Sequence, residues 1–584
     1  MNESDRLLPL VIGVTGHRDL RAEDLAQLKT VVRNTIESLQ RELPHTPLVL
    51  LSSLAEGADR LVAKVAYDLG VRLVVPLPMR REIYETDFQN ENSKAEFADL
   101  LGRAAHWFEL PLLEGADEAA IQAPGSARDA QYEQVGVYIA QQSHVLIALW
   151  DGEYRNLTGG TSRVVKLQLE GVLEPLAPLL SPIDTPESGP IYHIITPRLS
   201  NPNPKGEPLT LHRLFPKGYV GEAERFKRIC SRLDMFNRDL TKQAASLGET
   251  ISQSEEYLFP ESETNKLSNT LKSMRARFAV ADSLAIHFQR RTQSTLNQLF
   301  FFVLLVALCF DLYAHFFPNQ HWILALYLFL LGAAYLWINR RAKRRDYQNK
   351  YQDYRALAEG LRVQFFWNLA GSRLSVADHY LRKQRSELDW ICSAIRASNM
   401  PDYSKSRTSV DSGEEQVKSF ELLLQYWVKD QSDYFVKAAK RDHKKLERYE
   451  PWVRVLLRIG VVATILVAAI RLIPHPWRHE VAEFLEHPPV FHSLFLAFMS
   501  LPAIGAALLH GYLKQRALSE HSKQYSRMSI LFSNARERLS QMLKERKYRQ
   551  AENLLEELGK AALEENGDWV LLHRERPLEV PHAG

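Results

Sequence analysis

The sequence predicts an α/β fold at the N-terminus, a Rossmann-like doubly wound parallel sheet, followed by an all-α membrane region with four transmembrane helices and long cytoplasmic helices. Three observations carry this. Short apolar runs alternate with helix-spaced apolar residues over residues 8–196, the pattern of parallel strands joined by crossover helices. Two pairs of long apolar runs follow, each flanked by Lys and Arg. The remainder of the second half is charged and helix-patterned.

Residues 8–14 (LPLVIGV) are a continuous apolar run ending at Gly13, as expected of a strand buried on both faces. Residues 22–42 place Leu25, Leu28, Val32, Ile36 and Leu39 at helical spacing. A second strand is expected at 47–51, a helix at 58–69 and a third strand at 72–76. Residues 80–104 are charged and mostly helical, 106–110 a short strand, and 129–142 a helix. The run 145–150 (VLIALW) is a further strand, 161–171 starts a helix, and 191–196 is the last strand. The Pro-rich and polar stretch 175–220 reads as surface loops around that strand. From about 222 the pattern turns helical and charged, and 266–292 is an amphipathic helix leading to the apolar runs.

Residues 299–317 (LFFFVLLVALCFDLYAHFF) and 321–338 (HWILALYLFLLGAAYLWI) are separated only by Pro318-Asn319-Gln320. A bilayer core takes ~20 apolar residues per helix, so the pair reads as a hairpin. Arg290 and Arg291 precede it and RRAKRR at 340–345 follows, which places both ends on the cytoplasmic side. Tyr313, Trp322 and Trp337 stand where interfacial aromatics belong. Residues 455–473 and 490–513 form the second hairpin around a polar turn at 474–489, with Lys514 and Arg516 after it. The alternative is that these runs are buried helices of a large soluble core. Asp311 either lines a pore or, by preference, lies near the far interface beside Tyr313 and His315. Each hairpin leads into a charged helical segment, 346–369 and 514–563, with apolar stripes such as Leu357-Leu361-Phe365 and Leu531-Ala535-Leu539. Such stripes either self-associate or pack on the chain's own helices.

The 584 residues exceed one domain. Basic and acidic residues balance at 73 and 70, so charge gives no case for nucleic acid as a partner. Cys230, Cys309 and Cys392 are far apart and form neither a zinc pattern nor a disulfide framework; no metal is expected, and the soluble parts read as cytoplasmic. Residues 1–10 lack the basic start and apolar core of a cleaved leader.

In a doubly wound sheet, ligands sit just beyond the carboxyl ends of the strands. The candidate ligand-binding residues there are Gly13, Thr15, Gly16, His17 and Arg18 after the first strand. Ser52, Ser53, Glu56, Gly57, Asp59 and Arg60 follow the second. Asp151 and Gly152 follow the 145–150 strand, and then Thr158, Gly159, Gly160 and Thr161 precede a helix. Glycines let backbone N–H groups approach a ligand, helix N-termini add partial positive charge, and Arg18 and Arg60 add full charge, so an anionic, phosphate-bearing ligand fits. Each glycine turn taken alone is also what any strand-to-helix connection uses. His17 reads as a turn or ligand-contact residue rather than a catalytic base. Glu56 and Asp59 either cap the helix beginning near Gly57 or, in an enzyme, act as acid and base. A P-loop lysine is absent, so ATP hydrolysis of that kind is not supported.

The TGHR turn at 15–18, the SSLAEGADRLVA segment at 52–63 and the DGEYRNLTGGTSRVV segment at 151–165 resemble the SLOG superfamily, over roughly the first third of the chain. Enzymatic members, which cleave nucleoside monophosphates, carry a PGGxGTxxE pattern. Only Gly159-Gly160-Thr161 matches it here, so the resemblance implies a phosphate-cradling sensor rather than a hydrolase. The segments YRALAEGLRVQFFW at 354–367 and LEELGKAALEENGDWVLLHRERPLE at 555–579 resemble the SLATT group, two-span effector domains associated with SLOG domains, as two copies over most of 265–580. In the most specific piece, WVLLHRERPLE, Trp569 and Arg574 read equally well as packing and surface residues. The resemblance implies a membrane effector of bacterial anti-phage defence that forms pores when its sensor binds a nucleotide signal. It further implies a nucleotide or cyclic-nucleotide-type small molecule, the lipid bilayer and further copies of the chain as partners, and no cofactor. The location implied is the bacterial inner membrane, multi-pass, with cytoplasmic N- and C-termini.

The expected division is a nucleotide-sensing domain at 1–220, a helical connector at 221–292, the first hairpin with cytoplasmic helices at 293–400, a linker and helix at 401–440, and the second hairpin with C-terminal helices at 441–584. Two rival readings stand beside the sensor-effector. One is a membrane-bound enzyme of the SLOG type hydrolysing an N-glycosidic bond; the other is a passive anchor whose sheet binds a partner protein.

Overall fold

The computed structural model describes residues 5–113, 116–155, 159–171, 189–216, 221–338, 346–381, 385–400, 412–471 and 489–576. By its internal contacts the chain forms two compact units. One comprises Met1–Asp282 and Leu357–Gln416, the other Ser283–Ala356 and Val417–Gly584.

The first unit is built on a sheet of β1 (Leu10–Gly16), β2 (Leu48–Leu51), β3 (Arg72–Leu77), β4 (His106–Glu109), β5 (Val145–Trp150), β6 (Ile191–Ile195) and β7 (Leu211–Leu214), in the order β4-β3-β2-β1-β5-β6-β7. Strands β1 to β6 pair in parallel and β7 pairs antiparallel to β6. The connecting helices include α1 (Leu25–Glu42), α2 (Ala58–Asp68), α3 (Glu91–Arg103), α4 (Ser126–Gln142) and α5 (Thr161–Glu170). Central strands of an all-parallel region are covered on both faces. Accordingly β2 and β5 are buried along their whole length, and Val11, Leu146, Ala148, Val165 and Ile191 lie in one core.

Two local expectations are corrected. The first strand does not stop at Gly13 but runs on to Gly16. Gly13 lies mid-strand because a Cβ there would stand 2.2 Å from Ser143 Oγ; without it the end of α4 closes onto β1. The 175–220 stretch, expected to be loop, contains β7, whose side chains are mostly exposed. An edge strand that buries little beyond Leu214 leaves no apolar run to read.

The segment read as a connector, 221–292, belongs to the first unit up to Asp282. It forms α6 (Glu222–Leu258), whose Asn237 accepts from the Leu8 N–H and donates to the Leu8 carbonyl, both at 2.9 Å. Asp234 accepts from the His45 N–H at 2.8 Å and from Thr46 Oγ1 at 3.0 Å. These polar contacts weld α6 to the loops before β1 and β2. Phe365, from the Leu357–Gln416 segment, packs on Phe259 with ring centroids 5.5 Å apart.

The second unit is helical. It takes in the larger part of α7 (Asn269–His315), then α8 (His321–Ile338) and the start of α9 (Tyr347–Ala370). Later come α10 (Asp430–Arg471), α11 (Pro489–Gln515), α12 (Leu518–Lys544) and α13 (Tyr548–Arg574). Among the described residues two helical stretches are long and apolar enough to cross a membrane, Asn269–His315 on α7 and Leu496–Lys544, which runs from within α11 through α12. Four were expected. The run on α8 is apolar but shorter, His321–Leu336. The 455–473 run lies on α10, which carries Arg454 and Arg458 and leaves the described residues after Arg471. The turn at 474–488, the basic cluster 340–345, the Trp337 side chain and residues 577–579 lie outside the described residues.

Phe301, Phe310, Leu328 and Phe329 on α7 and α8 are more than half exposed, a density of outward apolar surface that water penalises and hydrocarbon does not. Asp311 is buried; it accepts from Ser500 Oγ of α11, and His315 stands one turn on at 3.6 Å. The carboxylate therefore faces a neighbouring helix inside the bundle. The apolar stripes behind the hairpins are largely covered within the chain: Leu357, Leu361, Ala535 and Leu539 are buried, Leu531 is half-buried, and Phe435 packs on the neighbouring Phe532 of α12 at 5.5 Å.

Candidate functional site

The strand order reverses between β1 and β5, because β1 continues to β2 on one side and meets β5 on the other. A cleft of about 330 Å³ opens at their carboxyl ends, the place where such sheets bind ligands. Thr15, Gly16, His17 and Arg18 line it from β1, Ser53 and Asp59 from the β2–α2 turn, and Gly159, Gly160 and Thr161 from the start of α5.

Helices α2 and α5 bring their N-termini to this edge. Their N-cap residues are Gly57 and Gly160, neither of which supplies a capping side chain. At α5 the first backbone N–H groups are thus left for a ligand, with the positive end of the helix dipole behind them. Gly159 has φ +72°, and a Cβ there would meet the Asp129 carbonyl at 2.9 Å, so α5 starts hard against α4. Thr158 lies outside the described residues.

The other expected residues are held elsewhere. Arg60 is buried: its guanidinium donates to the Leu54 carbonyl at 3.0 Å, to Ser93 Oγ at 2.8 Å and to Glu96 at 3.0 Å, and it lies over the Phe88 ring. It braces α2 against α3 rather than reaching the cleft. Glu56 accepts from Ser93 Oγ and from the Gln89 N–H, so it also serves the start of α3 and does not cap α2. Ser52 Oγ accepts from the Leu54 N–H at 3.1 Å, holding the turn in which Leu54 takes φ +57°. Gly152 has φ +81° and abuts the Lys205 carbonyl.

Asp151 is wholly buried behind the cleft and organises its rim. Arg198 Nε and Asn201 Nδ2 donate to its Oδ2 at 3.0 and 3.1 Å, and the Glu153 N–H donates to Oδ1 at 3.2 Å. Burial raises its pKa, but Asn201 and the Glu153 N–H, with His17 beside it, outweigh burial and hold the carboxyl below the usual carboxylate range. The Asp151 N–H donates to His17 Nε2 at 3.2 Å, and Arg198 faces His17 Nδ1 at 3.4 Å. Burial lowers the His17 pKa more than Asp151 raises it, and Arg198 lowers it further, so the ring is neutral at neutral pH.

Three arginines, Arg18, Arg155 and Arg198, line the cleft. Arg18 is exposed, stacks on Tyr132 at 5.3 Å and has no ion-pair partner among the described residues. Arg155 and Arg198 were not singled out in the sequence. Arg198 stands two residues after the 191–196 strand, so the rule that selected the other residues applies to it as well.

Asp59 is the one buried carboxyl on the cleft wall with a pKa near neutrality. Burial pushes it up to about 7, against Ser53 Oγ donating at 3.0 Å and the Arg18 cation. Its pKa in the folded chain exceeds that in the unfolded chain, so folding favours the protonated form and stability falls as pH rises toward 7. Asp59→Asn removes this penalty. Its stability relative to the parent is expected to improve by about 2–3 kcal/mol between pH ~5 and pH ~8, measured by thermal unfolding. A flat difference across that range is the contrary result.

Searched against models of known protein families the chain matches none, and no curated protein matches it.

Proposed function

We propose that the protein is a membrane-anchored sensor-effector: the cleft binds a nucleotide or nucleotide-derived signal, and the apolar helices act on the membrane. The observation that carries this is the convergence of Arg18, Arg155 and Arg198 with the uncapped start of α5 at the reversal of strand order. Backbone N–H groups and guanidinium forks suit phosphate oxygens. The neutral His17 adds no charge; its ring nitrogens meet Asp151 and Arg198 and so help to place Arg198 at the cleft.

The finer parts of the proposal are four spans with cytoplasmic termini in a bacterial inner membrane, self-association, and permeabilisation of the membrane in anti-phage defence, as the likeness to SLOG and SLATT implies. Ligand binding then shifts a population between helix arrangements, which requires different affinities for the two. The test is dye release from liposomes carrying the full chain, with a panel of mononucleotides and cyclic nucleotides. Release is expected with an active nucleotide. Arg18→Glu is expected to weaken binding by about 10- to 100-fold without loss of folding, because Arg18 is exposed. Binding without release removes the effector half of the proposal; no binding of any nucleotide removes the sensor half.

A second reading is favoured by Asp59, whose pKa of about 7 at a cleft wall is that of a general acid or base. In it the unit hydrolyses an N-glycosidic bond. Product analysis after incubation with nucleotides decides: a free base released by the parent chain but not by Asp59→Asn supports hydrolysis, whereas intact nucleotides leave binding alone.

A further inference from the structure

The second unit contains a cavity of about 430 Å³, within the size range of small-ligand sites. Its wall carries five cations, Arg355, Arg441, Lys445, Arg516 and Arg576, and one carboxylate, Asp442. Asp442 is taken up by Arg441 at 3.0 Å and Lys445 at 3.4 Å, and Arg576 by Glu520 at 2.6 Å. Arg516 donates to Tyr512 Oη at 3.0 Å and meets no carboxylate among the described residues. The excess charge is not histidine charge, because burial lowers the His573 pKa to about 4.

Independent of charge, the wall holds unanswered polar atoms. Gln352 is fully buried, and neither its amide nitrogen nor its amide oxygen has a hydrogen-bond partner. Thr292 Oγ1 and His521 Nε2 are in the same state. All three residues line the cavity. Buried amides are nearly always satisfied, so a fully orphaned one on a cavity wall points to a partner bound there. Gln352 requires an acceptor for its N–H groups and a donor for its oxygen. Bare phosphate offers acceptors alone at its ionised oxygens, whereas a phosphate ester with hydroxyl groups offers both. Trp569 presents a ring surface, with Arg355 over it at 5.8 Å.

We propose that this cavity binds a phosphate ester carrying hydroxyl groups, with Arg516 and Arg441 on the phosphate and Gln352 on a hydroxyl. The site is distinct from the cleft of the first unit and does not rest on the reading of that cleft. Two sources share this chemistry, a free nucleotide and the headgroup of an anionic phospholipid. The cavity lies at the ends of apolar helices: Gln289 and Thr292 precede the apolar part of α7, Arg516 follows that of α11, and Lys445 precedes that of α10. A ligand there touches three helices at once and fixes their relative positions.

The test uses the full chain in detergent micelles, with amide hydrogen exchange read by mass spectrometry. The two probes are ADP and dioctanoyl phosphatidylglycerol. Slowed exchange at 289–296, 348–355 and 515–525 is expected with one of them. Protection by ADP identifies a free nucleotide as the source, and protection by the lipid alone identifies a headgroup. The double variant Arg441→Gln/Arg516→Gln is expected to raise the concentration needed by about 10- to 100-fold while leaving exchange near Arg18 unchanged. Gln352→Leu separates binding from folding: it is expected to raise the melting temperature of the ligand-free chain, by removing the orphan amide, and to weaken protection by the probe. Absence of protection by either probe, or protection equal in both variants and the parent, overturns the proposal.

Discussion

Gly57→Val is expected to destabilise the first unit by about 3–5 kcal/mol and to abolish ligand binding in the cleft. Gly57 has φ +81° and ψ −116°, a conformation closed to a β-branched residue. A Cβ there would stand 2.4 Å from the Arg18 carbonyl and 2.6 Å from the His17 carbonyl. Both clashing atoms are backbone, so no rotamer change relieves them. The same approach lets the Ala58 N–H donate to the His17 carbonyl at 3.1 Å, which ties the start of α2 to the exit of β1. Forcing the two apart moves both walls of the cleft. Scanning calorimetry checks the size of the effect, with Gly70→Ala as the comparison. Gly70 has φ +74° but open space where a Cβ would lie, so that change costs only its backbone term, about 1 kcal/mol. Equal losses at the two positions would show that the contact with β1 contributes nothing.

Asp151→Ala is expected to cost about 3–5 kcal/mol, because it takes a buried, ion-paired carboxylate away from the half-buried Arg198 cation. Arg198 is then left with Asp19 at 3.6 Å as its remaining acidic neighbour. Asn201 and the Glu153 N–H lose their acceptor as well. Since the folded state holds the Asp151 pKa below its ordinary value, its contribution is complete above the unfolded pKa of about 4 and is lost as pH falls through the folded value. The parent and the variant are therefore expected to converge in stability at acid pH and to differ most at neutral pH, as read by denaturant unfolding at several pH values. Asp151→Asn, which keeps an acceptor, is expected to fall between them. Nucleotide binding is expected to weaken in both variants, because Asp151 sets the positions of His17 and Arg198.

Much of the sheet was legible because burial on both faces imposes continuous apolar runs, and β2, β3 and β5 appear at or within one residue of where those runs lie. The cleft was legible in part for a related reason: in a parallel sheet the turn after each strand must face the same edge, so a linear list of those turns is already a list of neighbours. That logic placed Thr15, Gly16, His17, Arg18, Ser53, Asp59 and the 159–161 turn together. It misplaced Arg60 because a side chain one residue farther along a helix points about 100° away, here toward Ser93 and Glu96 of α3.

By itself the sequence determined the alternation of strands and helices, the edge at which the glycine turns gather and the presence of apolar helices, since these depend on local pattern alone. Tertiary structure alone decided that Arg198 and Asn201 converge on the buried Asp151, that Asp59 is dry enough to hold its proton near neutral pH, and that Gln352 meets a cationic cavity. Each of these depends on the distance between residues remote in the chain and on the water excluded between them, and neither quantity is written in the order of the residues.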